Sequence, residues 1–98
     1  MYPSQPMLLR NNKPYLLITG EVLKKQRIEA NLPMRALGKR LSVPHSFISK
    51  VENAERRIDI GEFIIYCESL GLNPAVTLAN IQLSANYPDS SAGGPGQE

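Results

Sequence analysis

Between Thr19 and Leu83 the chain is dense in helix punctuation, and no alternation of apolar and polar residues lasts more than a few positions. That pattern predicts helices and not strands. Thr19 is a suitable N-cap for a first helix running through EVLKKQRIEA to Asn31, a residue that tolerates the left-handed conformation in which helices end. Pro33 opens a short second helix, MRALGKRL, because proline is accepted in a first turn. Ser42 and Val43 form a tight turn, and Pro44 opens a third helix, HSFISKVEN. The fourth carries the strongest signature: Asp59 with Glu62 three residues later is a capping box, and Ile58 with Phe63 has the spacing of a hydrophobic staple. It ends at Gly71, after which Asn73 and Pro74 cap and open a fifth helix from Ala75 to about Gln82.

Five short helices in succession predict a compact all-α domain over residues 19–83. Residues 1–18 carry Pro3, Pro6, Pro14 and two short apolar patches, and are expected to form an N-terminal arm, a weak hairpin around Asn11 and Asn12, or a subunit contact; local signals leave the three open. Residues 84–98, SANYPDSSAGGPGQE, hold three glycines and two prolines with almost no apolar side chains. They cannot offset the entropy of being ordered, so a disordered tail is expected.

A length of 98 residues accommodates one domain with a modest core. The formal charge of +2 conceals a partition. All eleven Lys and Arg lie between Arg10 and Arg57, opposed there by Glu21, Glu29, Glu52 and Glu55, a net +7. From Ile58 onward there is no base and five acids, a net −5. A polyanion-binding face with an acidic back is the expectation. Cys67 is the single cysteine and His45 the single histidine, which argues against a disulfide framework, a zinc cage and most catalytic constellations. No run approaches the length of a membrane span, so the expected setting is the cytoplasm.

Stepping about 100° per residue along the third helix puts His45, Ser46, Ser49, Lys50 and Asn53 on one polar arc of roughly 140°. Phe47, Ile48 and Val51 fall opposite, where they are expected to pack against Leu37 and Leu41. The polar set is either the solvated face of an amphipathic helix or a set of hydrogen-bonding groups for base edges and phosphates. Two short helices joined by a tight turn, the second exposing small polar residues at its start, match helix-turn-helix geometry. Arg35, Lys39, Arg40, Arg56 and Arg57 flank that unit and suit phosphates. Cys67 reads as a buried structural thiol in preference to a redox sensor, and Phe47 as the edge of the core in preference to a thymine-methyl contact. Lys24 and Lys25 read as solvated charges.

Residues 19 to 82 resemble the lambda-repressor and Cro-like (XRE-type) helix-turn-helix family. The resemblance rests on Arg27, Ala30 and Leu32 at the end of the first helix, on Ile-Ser-Lys-Val-Glu at 48–52, and on the Leu-Gly-Leu-x-Pro joining the last two helices. It implies that Arg27 pairs with Glu52, that His45, Ser46, Ser49 and Lys50 reach base edges, and that Arg35 and Asn53 meet the DNA backbone. The chain departs from the family pattern in having Gly38 for the usual alanine, Ser42 for the usual turn glycine, and Pro33-Met34 for the usual Ser-Gln.

The function expected on these grounds is a sequence-specific double-stranded DNA-binding regulator of transcription, a dimeric repressor on a palindromic operator, with no catalytic centre, cofactor or metal. The fifth helix is too apolar for all of Val76, Leu78, Ile81 and Leu83 to face inward, which suits a homodimer contact. Two alternatives differ in their partner: a DNA-binding antitoxin whose arm or tail folds on a toxin, and a module whose basic face binds an acidic protein.

Overall fold

The computed structural model describes residues 12–86, which form five α-helices and, among the described residues, no strand. They are α1 (Lys13–Glu29), α2 (Met34–Leu41), α3 (His45–Glu52), α4 (Ile60–Ser69) and α5 (Pro74–Asn86). The order and number of helices match the expectation from the sequence. Two boundaries do not.

The first helix starts at Lys13, six residues before the expected cap at Thr19. Pro14 sits in its first turn, where a missing N–H costs nothing. The Thr19 hydroxyl donates to the Tyr15 carbonyl at 2.6 Å, so it is satisfied one turn back within the helix and does not act as a cap. Residues 13–18 of the expected arm are therefore helical and Asn12 takes the N-cap position before them, whereas residues 1–11, with Asn11 of the hairpin alternative, lie outside the described residues. At the other end α5 continues through Ser84 to Asn86, and the remainder of the expected tail lies outside the described residues.

Four helix ends share one device. Leu32, Val43, Glu55 and Leu72 donate their N–H groups to the carbonyls of Arg27, Gly38, Lys50 and Cys67, five residues back. In each case the residue before the donor takes a positive φ: Asn31 at 59°, Ser42 at 59°, Ala54 at 61° and Gly71 at 75°. This left-handed closure satisfies carbonyls that a helix end otherwise leaves orphaned. Only one of the four is glycine, so Ser42 and Ala54 hold a conformation that costs a residue with a Cβ about 1–2 kcal/mol.

At their starts α4 and α5 use side chains. Asp59 Oδ1 accepts from the Glu62 N–H at 2.7 Å while Glu62 Oε1 accepts from the Asp59 N–H at 2.9 Å, which completes the expected capping box. Asn73 Oδ1 accepts from the N–H groups of Ala75 and Val76 at 2.8 and 3.2 Å.

The core is built from Leu23, Leu37, Ile48, Val51, Phe63, Tyr66, Cys67, Leu70 and Ile81, so every helix contributes. α1 packs across α3 and α5, α2 packs on α3 and α4, and α4 packs on α5. Of the apolar residues of α5, Ile81 is buried, whereas Val76, Leu78 and Leu83 are exposed. Burial pushes the Cys67 thiol and the Tyr66 phenol above their ordinary pKa values, so both are neutral in the fold.

Candidate nucleic-acid interface

α3 is held from behind. Ile48 is fully buried and Val51 nearly so, and Phe47 is half-buried against the same core. The opposite face is open: His45, Ser46, Lys50 and Asn53 are exposed and Ser49 is half-buried. Asn53 Nδ2 donates to Ser49 Oγ at 3.4 Å, joining two members of the polar arc. The five residues thus share one surface of one rigid helix, with hydroxyl, amide, ammonium and imidazole groups pointing away from the core.

The angle between α2 and α3 is fixed by close backbone approach. A Cβ on Gly38 would lie 2.6 Å from the Val43 carbonyl oxygen, so the departure from alanine at this position lets the turn fold tightly back on α2. Ser42 reverses the chain with its positive φ, and Pro44, extended at ψ 157°, starts α3.

A second close approach has no counterpart in the sequence pattern. A Cβ on Gly20 would lie 2.6 Å from the Glu52 carbonyl oxygen and 2.8 Å from that of Val51. α1 therefore crosses directly over the end of α3. As the first turn of a helix capped by Thr19, Gly20 carries no signal; its requirement arises from a contact with residues more than thirty positions away.

The same crossing brings Arg27 to Glu52. Arg27 Nε donates to Glu52 Oε2 at 2.6 Å and its Nη2 donates to Oε1 at 3.2 Å, while Nη1 donates to the Leu32 carbonyl at 2.8 Å. Both residues are buried. The carboxylate holds the guanidinium more firmly protonated than an isolated arginine.

The flanking bases divide into two groups. Arg35, Lys39, Lys50 and Arg57 are exposed, and their side chains make no hydrogen bond or ion pair among the described residues. Arg40 is turned to α4, its Nη1 donating to the Ser69 carbonyl at 2.7 Å, where a cation suits the negative end of the helix. Arg56 is also engaged: both oxygens of Glu62 accept from it at 3.2 and 3.3 Å, and its guanidinium lies 4.3 Å from the centroid of the Phe47 ring. No sequence spacing foretells either arrangement.

Among the described residues no group of three or more His, Cys, Asp or Glu could hold a metal ion. No helix among them is long and apolar enough to cross a membrane.

A recognition helix anchored by one face and open on the other, joined to its neighbour by a tight turn, defines a helix-turn-helix DNA-binding domain. Comparison with protein-family models matches residues 23–76 to the helix-turn-helix family. Among solved structures, the chain is similar to an XRE-family like protein from Pseudomonas syringae pv. tomato, with 35% identity, 76% of this chain and 89% of that one covered, and a TM-score of 0.64. It shares its fold with the clp gene regulator ClgR of Corynebacterium glutamicum, with 18% identity, 80% and 83% of the two chains covered, and a TM-score of 0.71. No curated protein matches the sequence significantly. The chain belongs to the lambda-repressor and Cro-like (XRE-type) helix-turn-helix family. It is a DNA-binding regulator of transcription, and its family is in general non-enzymatic.

Proposed function

We propose that the protein is a dimeric repressor that reads a palindromic operator with α3 in the major groove, acting in the cytoplasm by occluding a promoter. The observation that carries this reading is the exposed arc of His45, Ser46, Ser49 and Lys50 on a helix whose other face is anchored by Ile48 and Val51. Those four side chains are the base-reading set. Arg35, Lys39, Asn53 and Arg57 hold phosphates on either side of the groove, since they are exposed next to the reading helix. Arg40 contributes chiefly to the docking of α2 on α4. The exposed Val76, Leu78 and Leu83 of α5 supply apolar area for a two-fold contact with a second copy.

Selection of binding sites from a random duplex pool tests the reading. The expected product is a palindrome whose half-sites are centred about 10 base pairs apart, one turn of DNA. Enrichment of a single unrepeated site would remove the dimer, and no enrichment at low salt would remove the DNA reading itself.

A further inference from the structure

The loop from α3 to α4 carries two adjacent arginines with different surroundings. Arg57 is exposed, whereas the guanidinium of Arg56 is already engaged on two sides. Its Nη1 donates to the Arg57 carbonyl at 2.6 Å and to Glu62 Oε1 at 3.2 Å, and its Nη2 donates to Glu62 Oε2 at 3.3 Å. Glu62 is fixed in turn by the capping box, since its Oε1 accepts from the Asp59 N–H. The guanidinium so held lies over the Phe47 ring, 4.3 Å from the ring centroid.

Phe47 is the third residue of α3, between His45 and Ser46 on one side and Ser49 and Lys50 on the other. Its ring borders an open cleft of about 180 Å³ lined also by Leu41, Val43, Glu62, Ile65 and Tyr66. The core therefore does not hold the ring on every side, and the cleft offers it room to move. Arg56 covers one face of the ring.

We infer that Arg56 is a positioning residue for the recognition helix, setting the seat of α3 through Phe47, and not a phosphate ligand. Two physical arguments support this. Arg56 and Glu62 together carry no net charge, so Arg56 contributes little to counterion release when DNA binds. Three of its five N–H groups are also committed to the Arg57 carbonyl and the two Glu62 oxygens, and its face lies over Phe47, so only two donors remain for a phosphate. The aromatic contact instead keeps the first turn of α3 in one place, and base readout tolerates only small displacements. This inference rests on the DNA-binding reading above.

The test measures affinity for cognate and random duplexes over a salt series, at a temperature where circular dichroism shows each variant folded. Arg56→Ala is expected to leave the dependence of log affinity on log salt unchanged and to lose roughly 2- to 5-fold in preference for the cognate site. Arg57→Ala serves as the reference for a phosphate contact and flattens that dependence by about 0.9. Arg56→Lys keeps the charge but not the planar fork, so it should lose preference as Arg56→Ala does. In a Phe47→Leu background, Arg56→Ala should have little further effect. The inference is overturned if Arg56→Ala flattens the salt dependence as Arg57→Ala does, if Arg56→Lys behaves as wild type, or if the Phe47 and Arg56 effects simply add. Wild-type protein that fails to discriminate the duplexes would remove the DNA reading and this inference with it. Wild-type discrimination with an Arg56 phosphate signature would remove this inference alone.

Discussion

Arg27 of α1 and Glu52 at the last position of α3 meet in a buried two-pronged ion pair, with N···O distances of 2.6 and 3.2 Å. Glu52→Ala would leave the Arg27 guanidinium, its side chain only 10% exposed, with the Leu32 carbonyl as its remaining partner, and is expected to destabilise the fold by about 3–5 kcal/mol. An apolar pair of similar volume, Arg27→Met with Glu52→Leu, should recover most of that loss. Denaturant unfolding of the two variants measures the difference. Equal destabilisation of both would mean that packing at this crossing, and not the orphaned charge, sets the cost.

The two glycines Gly20 and Gly61 should respond oppositely to alanine. At Gly20 the new Cβ meets two backbone carbonyl oxygens at 2.6 and 2.8 Å, neither of which can rotate away. Overpacking of this kind typically costs about 1–3 kcal/mol. At Gly61 the nearest atom is a side-chain oxygen of Asp59 at 3.5 Å, and because this is the second residue of α4 the gain in helix propensity is a fraction of the roughly 1 kcal/mol of a helix interior. The denaturant midpoint should fall for Gly20→Ala and rise for Gly61→Ala.

The Cys67 thiol should be inert in the folded protein. It is fully buried and its pKa is raised by that burial, so both access and thiolate character are low. Labelling by a soluble thiol reagent at neutral pH should proceed only as fast as the protein opens, and denaturant should accelerate it. Rapid labelling under native conditions would contradict the packing of α4 against α5.

Glu62 should give the fold an acid-sensitive component. Hydrogen bonds from Arg56 first, and from the Asp59 N–H second, hold its carboxyl below the ordinary value of 4.5. A depressed folded-state value means that the stabilisation is present above the ordinary value and is lost as pH falls through the lowered one. Glu62→Gln keeps a group able to reach back to the Asp59 N–H but cannot titrate. Thermal unfolding from about pH 6 to about pH 3 should therefore show the wild type losing more of its stability than the variant, with the two curves converging at the acid end.

Lys50→Ala and Ser46→Ala should relax sequence preference, each by about 1–3 kcal/mol where the side chain makes a good hydrogen bond to a base edge. Both side chains are exposed and support nothing in the core, so stability should change little. Competition binding between cognate and random duplexes checks this. Discrimination equal to the wild type in both variants would move the reading surface off α3.

Most of the helix termini are legible in the sequence because their causes are local. Pro33, Pro44, Asn73 with Pro74, and the Asp59–Glu62 box each act within a few residues, and the structure uses them where the sequence places them. The start of α1 is not legible in the same way, because Thr19 satisfies its hydroxyl inside a helix already begun at Lys13. The polar face of α3 is legible from its 100° periodicity, since Ile48 and Val51 lie opposite it.

Sequence alone thus determined the all-α class, the helix order and the side of α3 that faces solvent, because each depends on spacing within one helix or one turn. Tertiary structure decided the rest. Gly20 is required by a backbone crossing, Arg40 is drawn to a carbonyl 29 residues away, and Arg56 is claimed by Glu62 and Phe47 while Arg57 beside it stays exposed. Equal charges in sequence become unequal in space, because a guanidinium that finds a carboxylate or an aromatic face no longer presents a full charge to solvent. Only the packing of α1, α2 and α4 around α3 determines which arginines find one.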